Sequence, residues 1–379
     1  MPRKFITNWT NSYVMAAVCL ALGTAPSLAE ILVGLAAPVS GPIAAAGEQA
    51  TRGARKAVDD INQAGGVNGE KLRLVVSDDA CDPKQAVNVA NQLADKGVRF
   101  VAGHLCSGAS IPASKVYEEE DILMITPSST SPKLTDGGGW NIARVCGRDD
   151  AQGDLAGKFL ARLYAGRKVA IVDDKSAFGN GVASRARSAM NSSGLTEVLD
   201  ESITAGEKDY TALVSKLKNA GVEAIYFGGY HPEAGQILRQ MDEQGLKARM
   251  FAPDAVNTAE LWSIAGPAAS NLFFTFSPDP RNVPEAQAVV KSFRADGYDP
   301  EAYTLYTYAA FQLYRAAAEA TGSTDSQKIA AWLRAGNPVQ SVLGAITLDA
   351  KGDVVNPSYA WFTFKDGRAI EVPSSSITR

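Results

Sequence analysis

The sequence predicts an α/β protein of two lobes, each built on a doubly wound parallel sheet. Three observations carry this. Short runs that are apolar throughout, such as Phe100–Gly103 and Ala224–Gly228, alternate with stretches of helical periodicity, as expected of parallel strands covered on both faces. The pattern runs from residue 31 to 126 and restarts near residue 154, so two arrays of similar size follow one another. The 379-residue length, with 46% apolar residues and a formal net charge of −4, suits two cores and excludes a chain dominated by disorder.

The first array opens on a strand at 31–37, ended by Pro38-Val39-Ser40-Gly41-Pro42. Ala50, Ala54, Ala57, Val58 and Ile61 then share one helical face, and Gly65-Gly66 stops that helix. A strand at 72–76 precedes Asp82-Pro83, an N-cap with proline in the first turn, which opens a helix through Ala86, Val87, Ala90 and Leu93 to Gly97. Phe100–Gly103 is the third strand, Ser107–Glu119 a helix and 122–126 the fourth strand. The second array reads helix 154–164, strand 169–172, helix 182–190, edge-like strand 202–204 and helix 210–219. It continues with strand Ala224–Gly228, helix 233–244 and strands at 250–252 and Leu272–Phe276. Helices return at 284–296, 302–320 and 326–335, and 359–364 with Arg368–Val372 form a hairpin around Asp366-Gly367. Segments that follow two complete arrays imply that the chain crosses between lobes more than once. With no low-complexity linker, those crossings are short hinges.

Residues 1–29 read as a secretory leader. Arg3 and Lys4 supply the positive start, 14–22 a short apolar run, and Ser27-Leu28-Ala29 small residues at a cleavage after Ala29. The run is too short to span a bilayer. A lipoprotein signal ending at Cys19 is the weaker rival, since Val18 is a poor small residue before the cysteine. Losing Arg3 and Lys4 takes the formal charge from −4 to about −6. Export places the remaining Cys81, Cys106 and Cys146 in an oxidising compartment. Cys81 and Cys106 each follow a strand; if those strands are parallel neighbours, both leave the same sheet edge and a bridge is geometrically reasonable. The alternative is three reduced core cysteines. With the bridge formed, Cys146 is the odd, buried one.

Enzyme signatures are absent. No GxGxxG follows a strand, and no GxxxxGK[ST], GxSxG, HExxH or paired CxxC appears. A pI of about 5.4 without a basic stripe argues against nucleic acid. Two His and four Cys leave little material for a zinc site. His104 reads as a satisfied core histidine, His231 as a turn or capping residue. Asp78-Asp79 and Asp173-Asp174 read as solvent or turn residues, not an acid–base dyad. What remains is a set of residues at the C-terminal ends of strands, where open α/β sheets bind ligands. Ser107 opens a helix; Ser128, Ser129 and Thr130 follow the fourth strand. A helix N-terminus there suits a carboxylate, although plain N-caps are the blander reading. Phe178, Tyr230 and Asp254 follow strands of the second array. Anion donors on one wall, with apolar surface and a carboxylate on the other, outline a zwitterion such as an α-amino acid.

Several stretches carry a family likeness: Ser77-Asp78-Asp79-Ala80-Cys81-Asp82-Pro83-Lys84-Gln85-Ala86-Val87, Gly103-His104-Leu105-Cys106-Ser107, Ile122-Leu123-Met124-Ile125-Thr126-Pro127, Ile203-Thr204-Ala205-Gly206-Glu207-Lys208-Asp209 and Tyr226-Phe227-Gly228-Gly229-Tyr230-His231-Pro232-Glu233. On these residues the chain resembles a periplasmic branched-chain amino acid-binding protein of an ABC transporter, over essentially the whole mature part. The resemblance implies the type I periplasmic-binding-protein fold, with lobe 1 at 30–148 and 279–356, lobe 2 at 149–278 and 357–379, and three crossovers between them. It implies the Cys81–Cys106 disulfide. It implies Ser107 and Thr130 on the ligand carboxylate, the Ser128 main chain at the ligand's polar end, and Tyr230 with Asp254 on the ammonium. Phe178 stands where a Tyr wall is common, and Tyr303 takes an aromatic position near the side-chain pocket. Two departures bear on specificity: Ala46 stands where an aromatic is common, and Asp254 where Glu is. The expected function is reversible capture, without chemistry or cofactor, of leucine, isoleucine or valine by a monomeric periplasmic protein that delivers it to a membrane permease. The alternatives are a binder of an amide, urea or other small metabolite, or a sensory ligand-binding subunit.

Overall fold

The computed structural model describes residues 30–378, together with Met1, Pro2 and Lys4. Apart from those three residues, the expected leader and its cleavage site lie outside the described residues. Among the described residues no helix is long and apolar enough to cross a membrane.

The chain runs β1 (Glu30–Ala37), α1 (Ala44–Gln63), β2 (Lys71–Asp78), α2 (Pro83–Asp95), β3 (Phe100–Gly103), α3 (Ser107–Glu119), β4 (Leu123–Thr126), α4 (Pro132–Asp136) and β5 (Ile142–Arg144). There follow α5 (Asp149–Leu163), β6 (Val169–Asp173), α6 (Ala177–Ser192), β7 (Leu199–Ser202), α7 (Thr211–Ala220), β8 (Ala224–Gly228), α8 (His231–Glu243), β9 (Arg249–Ala252), α9 (Ala259–Ala265) and β10 (Leu272–Phe276). The last part holds α10 (Gln287–Ala295), α11 (Ala302–Thr321), α12 (Ser326–Arg334), β11 (Val339–Ser341), β12 (Gly344–Ile346), β13 (Ala360–Lys365) and β14 (Arg368–Val372).

Two sheets organise these elements. The first has the order β2-β1-β3-β4-β5, parallel throughout. The second has the order β14-β13-β10-β9-β8-β6-β7; β6 to β10 are parallel, and the hairpin β13–β14 is added antiparallel on one edge. The second sheet is thus mixed rather than purely parallel, because a hairpin needs only a tight turn whereas another parallel strand needs a long crossover. Alternation along the strands divides its core: Val169 and Ile171 pack under α5 and α6, Ala170 and Val172 on the opposite face with α7 and α8.

The chain passes between the sheets three times: after β5, after β10, and again before β13, which pairs with β10. Between the last two passes α11 and α12 return to cover the first sheet, α11 lying along α1. That crossing is close. A Cβ on Gly53 would sit 2.2 Å from the Thr304 carbonyl oxygen, so only glycine lets α1 approach α11 there. The contact fixes the first turn of α11, which carries Tyr303.

Elements missed from the sequence are short: α4, β5, α9 and the β11–β12 hairpin. A three-residue strand such as β5 offers no period to read; its pairing with β4 creates it.

Candidate ligand-binding site

The first sheet builds one wall from two loops at the C-terminal ends of β3 and β4. Cys81 and Cys106 are disulfide-bonded, with Cα atoms 5.5 Å apart. The strands leading to them are parallel but not neighbours: β1 lies between β2 and β3. The connection is made by the turn after β2, where Ala80 and Cys81 both take left-handed backbone (φ 47° and 60°). Asp78 Oδ1 accepts from Ala80 N and Asp79 Oδ1 from Cys81 N, so paired aspartate turns hold this unusual backbone. Cys146 is free and buried, its thiol pushed up to about 12 by burial.

Asp79 corrects the expectation of a solvent residue. It is fully buried, and its Oδ2 lies 2.6 Å from His104 Nδ1, while His104 Nε2 lies 2.9 Å from the Tyr117 hydroxyl. His104 is thus a satisfied core residue, and its carbonyl accepts from the hydroxyls of Ser110, Thr126 and Ser129. In the same manner Asp173 and Asp174 cap the turn after β6, bonding Lys175 N and Ser176 N, yet both are buried rather than solvated. His231 stands in the first turn of α8, its Nε2 2.9 Å from Glu260.

Ser107 is the first residue of α3; its hydroxyl accepts from Ser131 N. The Ser128 hydroxyl donates to Leu105 O at 2.9 Å, tying the β4 loop to the β3 loop. Ser128 N and Ser129 N both donate to Thr126 Oγ1. Underneath runs Arg144, a fully buried arginine the sequence reading missed. Its guanidinium donates to the carbonyls of Ser129 (2.6 Å) and Ser131 (3.1 Å) and pairs with Asp353 at 2.6 Å. An arginine ending a strand gives no sign of this; its partners come from loops up to about two hundred residues away.

The second sheet supplies the opposing wall. Phe178 lies in the first turn of α6 and Tyr230 caps α8, their ring centroids 5.2 Å apart. Asp254 follows β9, buried. Its Oδ2 accepts from the Tyr303 hydroxyl of α11 at 3.0 Å, a bond that reaches across from the helix covering the first sheet. Its Oδ1 accepts from Gln152 Nε2 at 2.8 Å. Burial raises the Asp254 carboxyl to about 6 against the lowering effect of these two bonds. Burial likewise raises the phenols of Tyr230 and Tyr303.

Ser107, Ser128, Phe178, Tyr230, Asp254 and Tyr303 surround one narrow cavity, completed by Ile43, Ala46, Leu105, Cys106 and Ala255. Thr130 is not among them. It lines a second, smaller cavity shared with Cys146, Ser277, Tyr306 and Tyr359, and its buried hydroxyl has no hydrogen bond of ordinary geometry. Asp254 and Tyr303, hydrogen-bonded to each other, line both. A larger groove of about 270 Å³ lies beside the β13–β14 hairpin, but its Arg281 is already paired with Asp279 and Asp299. Among the described residues no cluster of His, Cys, Asp and Glu could hold a metal ion.

This arrangement can hold a small molecule with one apolar part, one cationic group and one group that accepts hydrogen bonds. The family model of the periplasmic binding proteins matches residues 30–368. The chain belongs to that family. Its expected character as a binding protein rather than an enzyme agrees with this membership. It is 47% identical over 356 residues to a Leu/Ile/Val-binding protein homolog of Brucella melitensis, covering 94% of this chain and 96% of that one. An amino acid binding protein of Pseudomonas aeruginosa is 47% identical, covering 92% and 94%. Among solved structures, the branched-chain amino acid transporter substrate-binding protein LivJ of Streptococcus pneumoniae, in complex with isoleucine, aligns with a TM-score of 0.83 and 27% identity, covering 91% of this chain and all of that one.

Proposed function

We propose that this periplasmic binding protein is the solute-capturing component of an ABC transporter, taking a free branched-chain α-amino acid between its two sheets and handing it to a membrane permease. One observation carries the reading: a buried carboxyl, Asp254, on an apolar-walled cavity whose other wall presents Ser107 at the start of α3 and Ser128 in the loop after β4. The carboxyl suits an ammonium group. The helix start and its hydroxyls suit a carboxylate. Ile43, Ala46, Leu105 and Phe178 suit an aliphatic side chain. The names of the relatives from Brucella and Streptococcus point the same way.

In this reading Ser107 and Thr130 take the carboxylate, the Ser128 main chain the ligand's polar end, Tyr230 and Asp254 the ammonium, and Phe178 and Tyr303 the side chain. The lobes divide at 30–148 with 279–356 and 149–278 with 357–379, and a ligand touching both favours the closed form. The protein acts as a monomer, exported with its leader cleaved after Ala29. Thr130 takes part once ligand entry breaks the Tyr303–Asp254 bond and joins the two cavities.

Calorimetric titration with leucine, isoleucine and valine tests this. Micromolar or tighter binding of at least one is expected, well within what a ligand of that size supports. No heat with any of them, alongside binding of an amide or urea, would replace the reading.

A further inference from the structure

Asp149, the first residue of α5, is 1% exposed, and nothing in the site as read so far uses it. It is joined to Asp254 through a single side chain. Gln152 Nε2 lies 2.7 Å from Asp149 Oδ1 and 2.8 Å from Asp254 Oδ1, so its two amide hydrogens go one to each carboxyl. Gln152 Oε1 accepts from the Thr275 hydroxyl at 3.0 Å, which fixes the amide's orientation. Asp149 Oδ2 is buried without a hydrogen bond of ordinary geometry, the Thr130 hydroxyl being the polar group beside it. The cation that lowers the Asp149 carboxyl is Arg144, whose guanidinium is already bound to the carbonyls of Ser129 and Ser131 and to Asp353. Two carboxyls thus share a dry site without a counter-ion of their own, an arrangement in which both cannot stay ionised.

We propose that Asp149 and Asp254 form one cation anchor, bridged by Gln152, which holds a proton while the site is empty and releases it when the ligand's ammonium group arrives. Asp149 is then a positioning residue that acts through Gln152. The anchor selects ligands bearing an ammonium over neutral amides and simple carboxylic acids. The proposal rests on the reading that the ligand is an amino acid.

The surroundings agree. Burial, and then the charge of Asp254, push the Asp149 carboxyl up to about 7, opposed by Thr130, Gln152 and Arg144. The other titratable groups facing the pair are Cys146 ahead of α5, Tyr226 of β8, Tyr230 at the N-cap of α8, Tyr303 and Tyr306 of α11 and Tyr359 ahead of β13. All six are themselves pushed upward and stay neutral near pH 7, so none supplies the missing charge.

Two measurements decide it. First, leucine is titrated calorimetrically at pH 6.5 into the whole protein in phosphate and in Tris, whose ionisation enthalpies differ. More than about half a proton released per leucine is expected, with affinity rising with pH and approaching tenfold per unit below pH 7. In Asp149→Asn the release disappears and the affinity no longer follows pH. Equal heats in both buffers, or undiminished release from Asp149→Asn, overturn the proposal. Second, ligand-free thermal unfolding is compared for the wild type and Asp149→Asn between pH 4.5 and 8. A carboxyl raised in the folded state loses stability as pH climbs from its unfolded value of about 4 towards 7, so the variant should gain on the wild type over that window. A gap that does not change with pH overturns the carboxyl pair. Should leucine give no heat with the wild type, the branched-chain reading fails by itself, and the ligand-free comparison still judges the pair.

Discussion

The two walls of the cavity are built on opposite principles. The wall on the first sheet, the Thr130 hydroxyl apart, is satisfied from within: Ser128 and Ser129 bond to neighbouring carbonyls, Arg144 holds the loop from below, and a disulfide and the Asp79–His104–Tyr117 chain brace its base. The wall on the second sheet is left wanting. Asp149, Asp174 and Asp254 are buried carboxyls raised by desolvation, and Asp149 Oδ2 and Asp174 Oδ2 have no hydrogen bond of ordinary geometry. The difference teaches how such a site divides its work. One wall is a scaffold whose donors are held in place, and the other keeps buried carboxyls which, in the proposed reading, an incoming cation completes.

That contrast can be broken from either side. The largest effect is expected from Arg144→Ala, which takes from Asp353 one of its two arginines, leaving Arg148, and frees the 129–131 loop. A loss of about 3–5 kcal/mol in stability, read by urea unfolding, is expected, and wild-type stability would show that the first wall does not depend on its buried ion pair. Asp254→Ala removes charge from the second wall instead. It should cost about 2–5 kcal/mol of leucine affinity by calorimetry while stability holds or rises, because a desolvated carboxyl has gone. Unchanged affinity would remove Asp254 from the site.

Replacing Cys81 and Cys106 together by serine opens a loop of sequence separation 25 and should lower stability by about 2–4 kcal/mol. Labelled thiols in the denatured, unreduced wild type sharpen the point: one free thiol, Cys146, is expected in the mature chain, and three would refute the bridge. The smallest effect is Asp82→Ala. Asp82 accepts from Lys84 N and Gln85 N at the start of α2, so about 1 kcal/mol of stability should be lost, with leucine affinity unaltered.

Strands that are apolar throughout were legible because burial on both faces leaves its mark on every residue. Phe100–Gly103, Ala224–Gly228 and Leu272–Phe276 fall where the sequence places them. The elements that escaped, β5, α9 and the β11–β12 hairpin, are too short for periodicity to speak. Among site residues, Ser107, Ser128, Phe178, Tyr230, Asp254 and Tyr303 were named from strand ends and family likeness, and they do meet at one cavity. Thr130 does not line that cavity but the one behind it. Arg144, Asp149 and Gln152 were not read at all, since each takes its role from partners distant in the chain.

The adjacent pair Asp78-Asp79 marks the boundary between the two kinds of knowledge. Their place after a strand left both as solvent or turn residues, and the turn holds for both, because an aspartate's bond to the backbone two residues on is a local matter. That Asp78 stays partly exposed and reaches Ser40, while its neighbour is sealed in the core against His104, depends on which way each side chain leaves the strand and on what another strand brings to meet it. Local chemistry is written in neighbouring residues. Burial, pairing and the carboxyl values that follow from them arise only when distant segments shut out water together.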